Sequence, residues 1–193
     1  MSDLMLDVDQ AGELKAAFRR GSWTNAEIKS ACEGDKLAKF RQVILGNAEI
    51  VTVKHIIDCD SHPFVPVRNW EVRESDQLAS RVTGQLEWNA ANVGLFLSDT
   101  QKSDRHEGNQ LRKELESQRV LPANVLDHLL KHPHLISEEY KGKHVFFWGT
   151  IYRDSGGYLY VCCLDWSGDR WYWDYYWLGS CFYGHSPAAV LAS

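Results

Sequence analysis

Hydrophobic residues in the first part of the chain recur mainly at the spacing of amphipathic helices. Leu37, Phe40 and Ile44 share one side of a predicted helix. Upstream of it, Thr24 and Glu27 have the spacing of a capping box, in which each side chain accepts a hydrogen bond from the other residue's backbone amide. This part of the chain is therefore predicted to be helical.

Three more helices are predicted further along the chain, one of them a short helix marked by Leu111 and Leu115. A helix capped by Asn89 would carry Val93 and Phe96, and a later helix would bury Val125 and Leu129. No internal repeat or low-complexity tract interrupts the pattern. Several short helices are therefore the main predicted elements of this half.

Residues 50–57 switch to an alternating pattern. Val51, Val53, His55 and Ile57 alternate with Thr52, Lys54 and Ile56, and the turn-forming run at 58–63 follows. This alternation predicts one short strand inside a mainly helical region that covers residues 1–140.

The last fifty residues contain three extended runs separated by short turn-forming segments. The runs are HVFFWGTIY (144–152), YLYVCCLDW (158–166) and WYWDYYWL (171–178). Connections this short and this rich in Gly, Asp and Ser are typical of antiparallel hairpins. We therefore predict an α+β protein in which region 1–140 packs, as one domain, with a three-stranded antiparallel β-meander at 141–193.

Strand pairing decides which side chains of this meander share a face. If Tyr152 lies opposite Tyr158, and Trp166 lies opposite Trp171, then one face collects ten aromatic rings. The ten are Phe146, Trp148, Tyr152, Tyr158, Tyr160, Trp166, Trp171, Trp173, Tyr175 and Trp177. The opposite face is mostly aliphatic, and we expect the helices to pack against it. A one-residue slip would move a whole strand to the other face.

An outward-facing aromatic surface of this size would be a binding surface, because Trp and Tyr favour half-wet interfaces. The candidate binding residues are Trp148, Tyr160, Trp171, Trp173, Tyr175 and Trp177. The alternative interpretation is that the N-terminal segment or the tail at 184–193 covers this face. Under that interpretation the rings only stabilise the sheet.

The charge of the protein limits which class of molecule could bind the aromatic face. The 193 residues include 21 basic and 26 acidic side chains, for a net charge of −5, with no basic block. Duplex nucleic acid is therefore disfavoured as a partner. The three runs of the meander contain no lysine, which disfavours single strands as well, since base stacking normally accompanies a basic groove. A protein partner or self-association is the expectation that remains.

The sequence also indicates the cellular compartment of the protein. No apolar run is long enough to cross a bilayer, and the first ten residues do not resemble a secretory signal. The five cysteines, an odd number, include the neighbours Cys162 and Cys163, which point to opposite faces of a strand and so cannot pair. We interpret all five as reduced thiols in a cytoplasmic protein.

A second hypothesis concerns metal chemistry. His55, Asp58, Asp60 and His62 lie within eight residues and offer the ligands of a divalent metal. A metal-dependent enzyme at these residues is therefore the alternative to a non-enzymatic interaction protein. The two aspartates would otherwise bond the amides of a turn. The run His132-Pro-His134 is another weak metal candidate, although histidines in loops commonly bind none.

Four stretches of the chain also resemble an uncharacterised family of bacterial proteins. They are IIDCDSHPFVP (56–66), GNQLRKELESQRVLPANVLDHLL (108–130), VFFWGTIYRDSGGYLYV (145–161) and RWYWDYYWL (170–178). The resemblance implies common descent over most of the chain. It implies no activity, cofactor or site residue.

Overall fold

The computed structural model describes residues 7–192. Contacts divide the chain into two compact units, with the boundary between Val53 and Lys54. This boundary lies far from position 140, where the pattern changes from helices to strands. Elements on both sides of position 140 belong to the second unit.

Among its described residues, 7–53, the first unit contains three helices. They are α1 (Val8–Arg20), α2 (Asn25–Ala31) and α3 (Lys36–Ile44). The predicted capping box at the start of α2 is confirmed, because Thr24 Oγ1 accepts from the Glu27 amide at 3.2 Å and Glu27 Oε2 accepts from the Thr24 amide at 2.6 Å. None of the side chains in these three helices is buried.

The second unit contains nine strands and three α-helices. The strands are β1 (Ile56–Asp58), β2 (Gln85–Glu87), β3 (Val93–Phe96), β4 (His106–Glu107), β5 (Val145–Arg153), β6 (Leu159–Ser167), β7 (Arg170–Trp177), β8 (Cys181–Phe182) and β9 (Ala188–Leu191). The helices are α4 (Asp99–Ser103), α5 (Gly108–Glu114) and α6 (Ala123–Lys131). Short 3-10 helices occur at Glu74–Asp76, Ala90–Asn92, Leu115–Ser117, Pro133–Leu135 and Glu138–Tyr140. Among residues 7–192, no helix has the length and apolar character that crossing a bilayer requires.

The main sheet corrects the predicted meander. It has five strands in the order β3-β9-β5-β6-β7, and β9 runs parallel to β5 while the other pairs are antiparallel. The three-stranded prediction covers only β5, β6 and β7. Strand β9 is four short apolar residues without alternation, so its sequence carries no strand pattern.

Two other predicted elements are also corrected. The strand expected at 50–57 begins only at Ile56, where β1 pairs with β2. The helix expected after Asn89 is a single 3-10 turn, and Val93–Phe96 is strand β3. Gly94 within this segment disfavours a helix, and pairing with β9 supplies hydrogen bonds that a helix would otherwise have made. The predicted helix with Val125 and Leu129 on its buried side is confirmed as α6.

A β-bulge in β5 overturns the predicted distribution of side chains. The predicted pairing of Tyr152 with Tyr158 is wrong, because Tyr152 pairs with Tyr160. Phe146 pairs with Cys163, so the register shifts between Phe146 and Tyr152. The Gly149 amide donates to Leu121 O at 3.0 Å, away from β6. As a result, Phe146 lies on the opposite face from Tyr152, and the ten rings do not form one surface. The predicted pairing of Trp166 with Trp171, beyond the bulge, is confirmed.

Both faces of the sheet are covered. Helix α6 packs on the face that carries Phe147, Tyr152 and Cys162. Leu111 of α5, together with residues near β8, packs on the face that carries Phe146 and its neighbours. The expectation that one whole face is exposed is therefore wrong for the centre of the sheet.

The far end of β5 is held by the 3-10 turn at Glu74–Asp76. The Asp76 carboxylate accepts from Arg153 Nε at 2.7 Å, and Gln77 both donates to Ile151 O and accepts from the Ile151 amide. The hydrogen bond from Arg153 is the main reason why the pKa of Asp76 lies below its usual value.

Candidate functional site

The six predicted binding residues divide according to their strand. Trp148 of β5 is fully buried, because the bulge turns it into the core beside Phe182, with ring centres 5.1 Å apart. Its assignment to an outer aromatic face is therefore wrong. Tyr160 and Trp171 are partly buried. The exposed fractions of Trp173, Tyr175 and Trp177 on β7 are 36%, 38% and 44%.

A segment before β2 covers part of the same face. Trp70 stacks on Tyr160 with ring centres 4.2 Å apart and meets Tyr175 edge-on at 4.8 Å. Phe64 lies 5.8 Å from Trp173, also between ring centres. The chain itself thus covers the inner part of the aromatic face, as the alternative interpretation expected, but with residues 64–70 instead of either terminus.

Three rings on the edge strand β7 and one ring just before β6 stay exposed, and we call this row the β7 aromatic strip. It consists of Tyr158, Trp173, Tyr175 and Trp177. Tyr158 meets Trp177 edge-on at 5.7 Å, and Trp173 lies parallel to Tyr175 at 6.3 Å. Large rings exposed side by side in this way are uncommon on a surface that meets only water.

The strip coincides with an open strand edge, because β7 is the last strand of the sheet. The Leu178 amide donates to Leu159 O at 2.8 Å, and this bond fixes which β7 residues bond to β6. By the alternation of an antiparallel pair, the backbone groups of Trp171, Trp173 and Tyr175 point away from β6. Within residues 7–192, the outward amide of Trp173 has no backbone partner.

A second arrangement of functional side chains lies at the end of α6. His55, His128 and His132 each place a ring nitrogen so that the three nitrogens lie within 4.8 Å of one another. His55 Nδ1 and His128 Nε2 are 3.1 Å apart. The ring centre of His134 lies 5.8 Å from that of His55, at the margin of this histidine cluster.

Local structure explains why these three rings meet. His128 lies in the last turn of α6, and His132 is the residue that caps this helix, where its amide donates to His128 O at 3.0 Å and keeps the two residues together. His55 directly precedes β1, and its carbonyl oxygen accepts from the Trp88 amide at 2.7 Å, which fixes this segment beside β2. Contacts between α6 and β1 then bring His55 to the helix.

Burial and neighbouring imidazoles together favour the uncharged form of His128. Desolvation is the largest cause that lowers the pKa of His128, and the nearby His132 and His55 lower it further, while Asp127 acts in the opposite direction. An uncharged imidazole keeps the lone pair through which histidine ligates a metal.

The residues predicted as metal ligands mostly make other bonds. The Asp58 carboxylate accepts from the Asp60 amide at 3.1 Å, and Asp60 accepts from the Gly84 amide at 3.0 Å. His62 Nδ1 lies 2.9 Å from Pro63 O. Of the four predicted residues, only His55 belongs to the histidine cluster, which is the only group of three or more such ligands among residues 7–192.

Asp58 and His62 still lie close to the cluster. With His128, Asp127 and Lys131 they line a pocket of about 170 Å³. The wall of this pocket also includes Asn124 and Phe64. The pocket therefore connects part of the predicted set to one member of the cluster, and Asp60 is not in its wall.

Sequence reasoning left out His128 and named His132 only as a weak metal candidate. Their four-residue spacing within a predicted helix was a usable signal, because it places both rings on one side. Their contact with His55, 73 positions away, carries no local signal.

Comparison with known proteins adds no relative to this description. The chain matches no protein-family model, no curated protein and no solved structure.

Proposed function

We propose that this protein is a non-enzymatic interaction protein that pairs through the open edge of β7. The proposal rests on one observation: the same β7 residues have exposed aromatic rings and backbone groups that point away from the sheet. Trp173 and Tyr175 have exposed rings, and their backbone groups also point away from β6. The Tyr175 amide already donates to Asp174 Oδ1 at 2.8 Å, whereas the Trp173 amide has no partner among residues 7–192. One bound strand would therefore meet a hydrogen-bonding group and aromatic surface together at Trp173.

Strand addition uses both of these features. The backbone supplies hydrogen bonds to any extended chain, and the side chains next to the edge decide which chain fits. A long, open and aromatic edge is otherwise a liability for aggregation, which proteins usually block with lysine, proline or a bulge. β7 contains no lysine or proline.

A second copy of this chain is the partner we favour. Antiparallel pairing of two β7 strands about Trp173 places the two Trp173 residues opposite each other and Trp171 opposite Tyr175. In this register Tyr172 opposes Asp174. The next register with the same edge pattern would place the two Asp174 carboxylates opposite each other, which is unfavourable.

The charge of the protein and its cysteines support the rest of the proposal. Net charge −5 and the absence of lysine from β5 to β9 do not favour a nucleic-acid partner. All five cysteines are free, and Cys162 and Cys163 are buried on opposite faces of the sheet. The free thiols favour a cytoplasmic location, which we propose for this protein. We also propose that it descends from the bacterial family that its four sequence stretches resemble.

The alternative of a metal-dependent enzyme at His55, Asp58, Asp60 and His62 has one observation in its favour. His55 belongs to the histidine cluster, and the other three residues do not. The part of this alternative that the geometry favours is metal binding.

Light scattering coupled to size exclusion tests the proposed pairing. The Trp173→Pro variant removes an amide hydrogen that points away from β6, so the fold is expected to survive while pairing is lost. We expect the wild type to be a dimer and Trp173→Pro to be a monomer with an unchanged circular dichroism spectrum.

The matched control is Tyr183→Ala, which removes an exposed ring that lies outside β7 and outside the β7 aromatic strip. This variant is expected to remain dimeric. A monomeric wild type at the highest attainable concentration would contradict self-association, as would a Trp173→Pro dimer as stable as that of the wild type.

A further inference from the structure

We propose that His55, His128 and His132 form a binding site for a divalent transition metal ion, with Zn²⁺ as the expected ion. This site is separate from the β7 edge and goes beyond the proposed pairing function. It joins the end of α6 to the segment that leads into β1.

The distances suit a zinc ion. Zinc binds imidazole nitrogen at about 2.0–2.1 Å, so two ligands of a tetrahedral site lie roughly 3.3 Å apart. His55 Nδ1 and His128 Nε2 are 3.1 Å apart, close to that value. All three nitrogens lie within 4.8 Å of one another, so modest rotation of the imidazole rings would complete the set.

The chemical type of the ligands selects the class of ion. Three imidazoles and no carboxylate suit zinc and its neighbours in the first transition row. Magnesium and calcium prefer oxygen ligands and are therefore not expected here. The absence of thiolate ligands separates this site from the cysteine-rich sites of structural zinc domains.

The scaffold already holds the ligands in place. Two of them meet at the end of α6, where His128 belongs to the last turn and His132 caps the helix, with ring centres 4.6 Å apart. The third is fixed by the hydrogen bond between Trp88 and the backbone of His55. The metal would therefore bind without a large rearrangement.

Surrounding charge does not oppose a cation. The Lys131 ammonium group near the site is paired with Asp127 at 2.6 Å. Asp127 also precedes His128 directly, which brings a carboxylate close to the cluster. The three histidines are each only partly buried, so we expect a water molecule to be the fourth ligand.

Calorimetry with zinc chloride, together with the absorption spectrum of added cobalt, tests the site on the full chain without a histidine tag. We expect one ion per chain and a cobalt spectrum typical of tetrahedral nitrogen coordination. His128→Ala and His132→Ala are each expected to weaken zinc binding at least a hundredfold. His55→Ala is expected to do the same.

His62→Ala and His185→Ala are matched controls, because these rings lie outside the cluster, and both variants are expected to bind zinc as the wild type does. His134→Ala should change affinity only a few-fold, and a loss as large as that of His128→Ala would contradict water as the fourth ligand. Absence of zinc binding by the folded wild type would overturn the site. So would equal losses in His62→Ala and His128→Ala.

The same titration on Trp173→Pro separates this inference from the proposed pairing. If both proposals hold, this monomeric variant binds zinc with wild-type affinity. A monomeric wild type that binds zinc would overturn the pairing and leave the metal site intact.

Discussion

Strands β5 and β7 both pair with β6 and are both rich in aromatic residues, yet they meet different surroundings. β5 lies between β9 and β6, and every residue from Val145 to Tyr152 is buried. β7 has one neighbour, and its residues alternate between exposed and partly buried. The comparison shows that strand order in the sheet, more than aromatic content, determines which rings reach solvent.

Two tryptophans illustrate this difference. Trp148 is fully buried among Phe146 and Phe182, and its indole nitrogen has no hydrogen-bond partner. Trp173 is 36% exposed and lies against Phe64 on one side only. The same side chain therefore has a structural role in one strand and remains available for contact in the other.

Replacing these two residues is the strongest test of the comparison. Trp148→Ala leaves a large cavity in the core and is expected to lower the free energy of unfolding by about 3–5 kcal/mol. Trp173→Ala is expected to lower it by less than about 1 kcal/mol, because little core packing is lost. Urea denaturation measures both. Equal losses would show that the two strands are not as different as their burial indicates.

A substitution at Gly149 tests the bulge in β5, which turns Trp148 into the core while the rings of β7 stay exposed. A methyl group at this position would lie 2.7 Å from Pro122 N and 2.8 Å from Leu121 C, both backbone atoms that cannot move aside easily. Gly149→Ala is therefore expected to lower the free energy of unfolding by roughly 1–3 kcal/mol.

Gly94→Ala in β3 is the matched control for that substitution. Its added methyl group would meet only Val190 Cγ2, at an ordinary 3.5 Å. A small effect is expected from it in the same urea experiment. If Gly94→Ala were the more damaging of the two, close packing at the bulge would not explain the register of β5.

The pairing of Asp76 with Arg153 gives the smallest expected effect, which depends on pH. The pKa of Asp76 is lowered chiefly by the hydrogen bond from Arg153, so the folded state favours the ionised carboxylate. This stabilisation is fully present above the ordinary pKa of an aspartate and is lost as pH falls through the lowered value.

Asp76→Asn is therefore expected to lower the urea midpoint at neutral pH and to approach the wild type in acid. Asp169→Asn, in the turn before β7, is the control and should show no such convergence. A difference between wild type and Asp76→Asn that stays constant from neutral to acid pH would disprove the role of the carboxylate charge.

Local patterns predicted the elements with strong periodicity. The capping box at Thr24, the helix α6 and the pairing of Trp166 with Trp171 could all be read from a few neighbouring residues. The bulge in β5 could not, because it depends on the backbone near Leu121 and on the side chain of Gln77, both distant in sequence. The face assignment of Trp148 failed for this reason.

The two candidate sites also differ in how far local sequence patterns could predict them. The exposed rings of Trp173, Tyr175 and Trp177 were predicted because β7 alternates regularly. The histidine cluster was missed because His55 and His128 are joined only by the tertiary packing of α6 beside β1. Neither hydrophobic spacing nor local motifs carry that information.

The position of β9 has a consequence for the newly made chain. β3 reaches the rest of the sheet only through β9, whose residues follow their β3 partners by 92 to 98 positions. At the usual rate of translation, β3 must wait roughly 5–20 s on the ribosome before its partner is synthesised. During that interval its backbone groups hydrogen-bond to water, so this edge of the sheet is the last part that the new chain can complete.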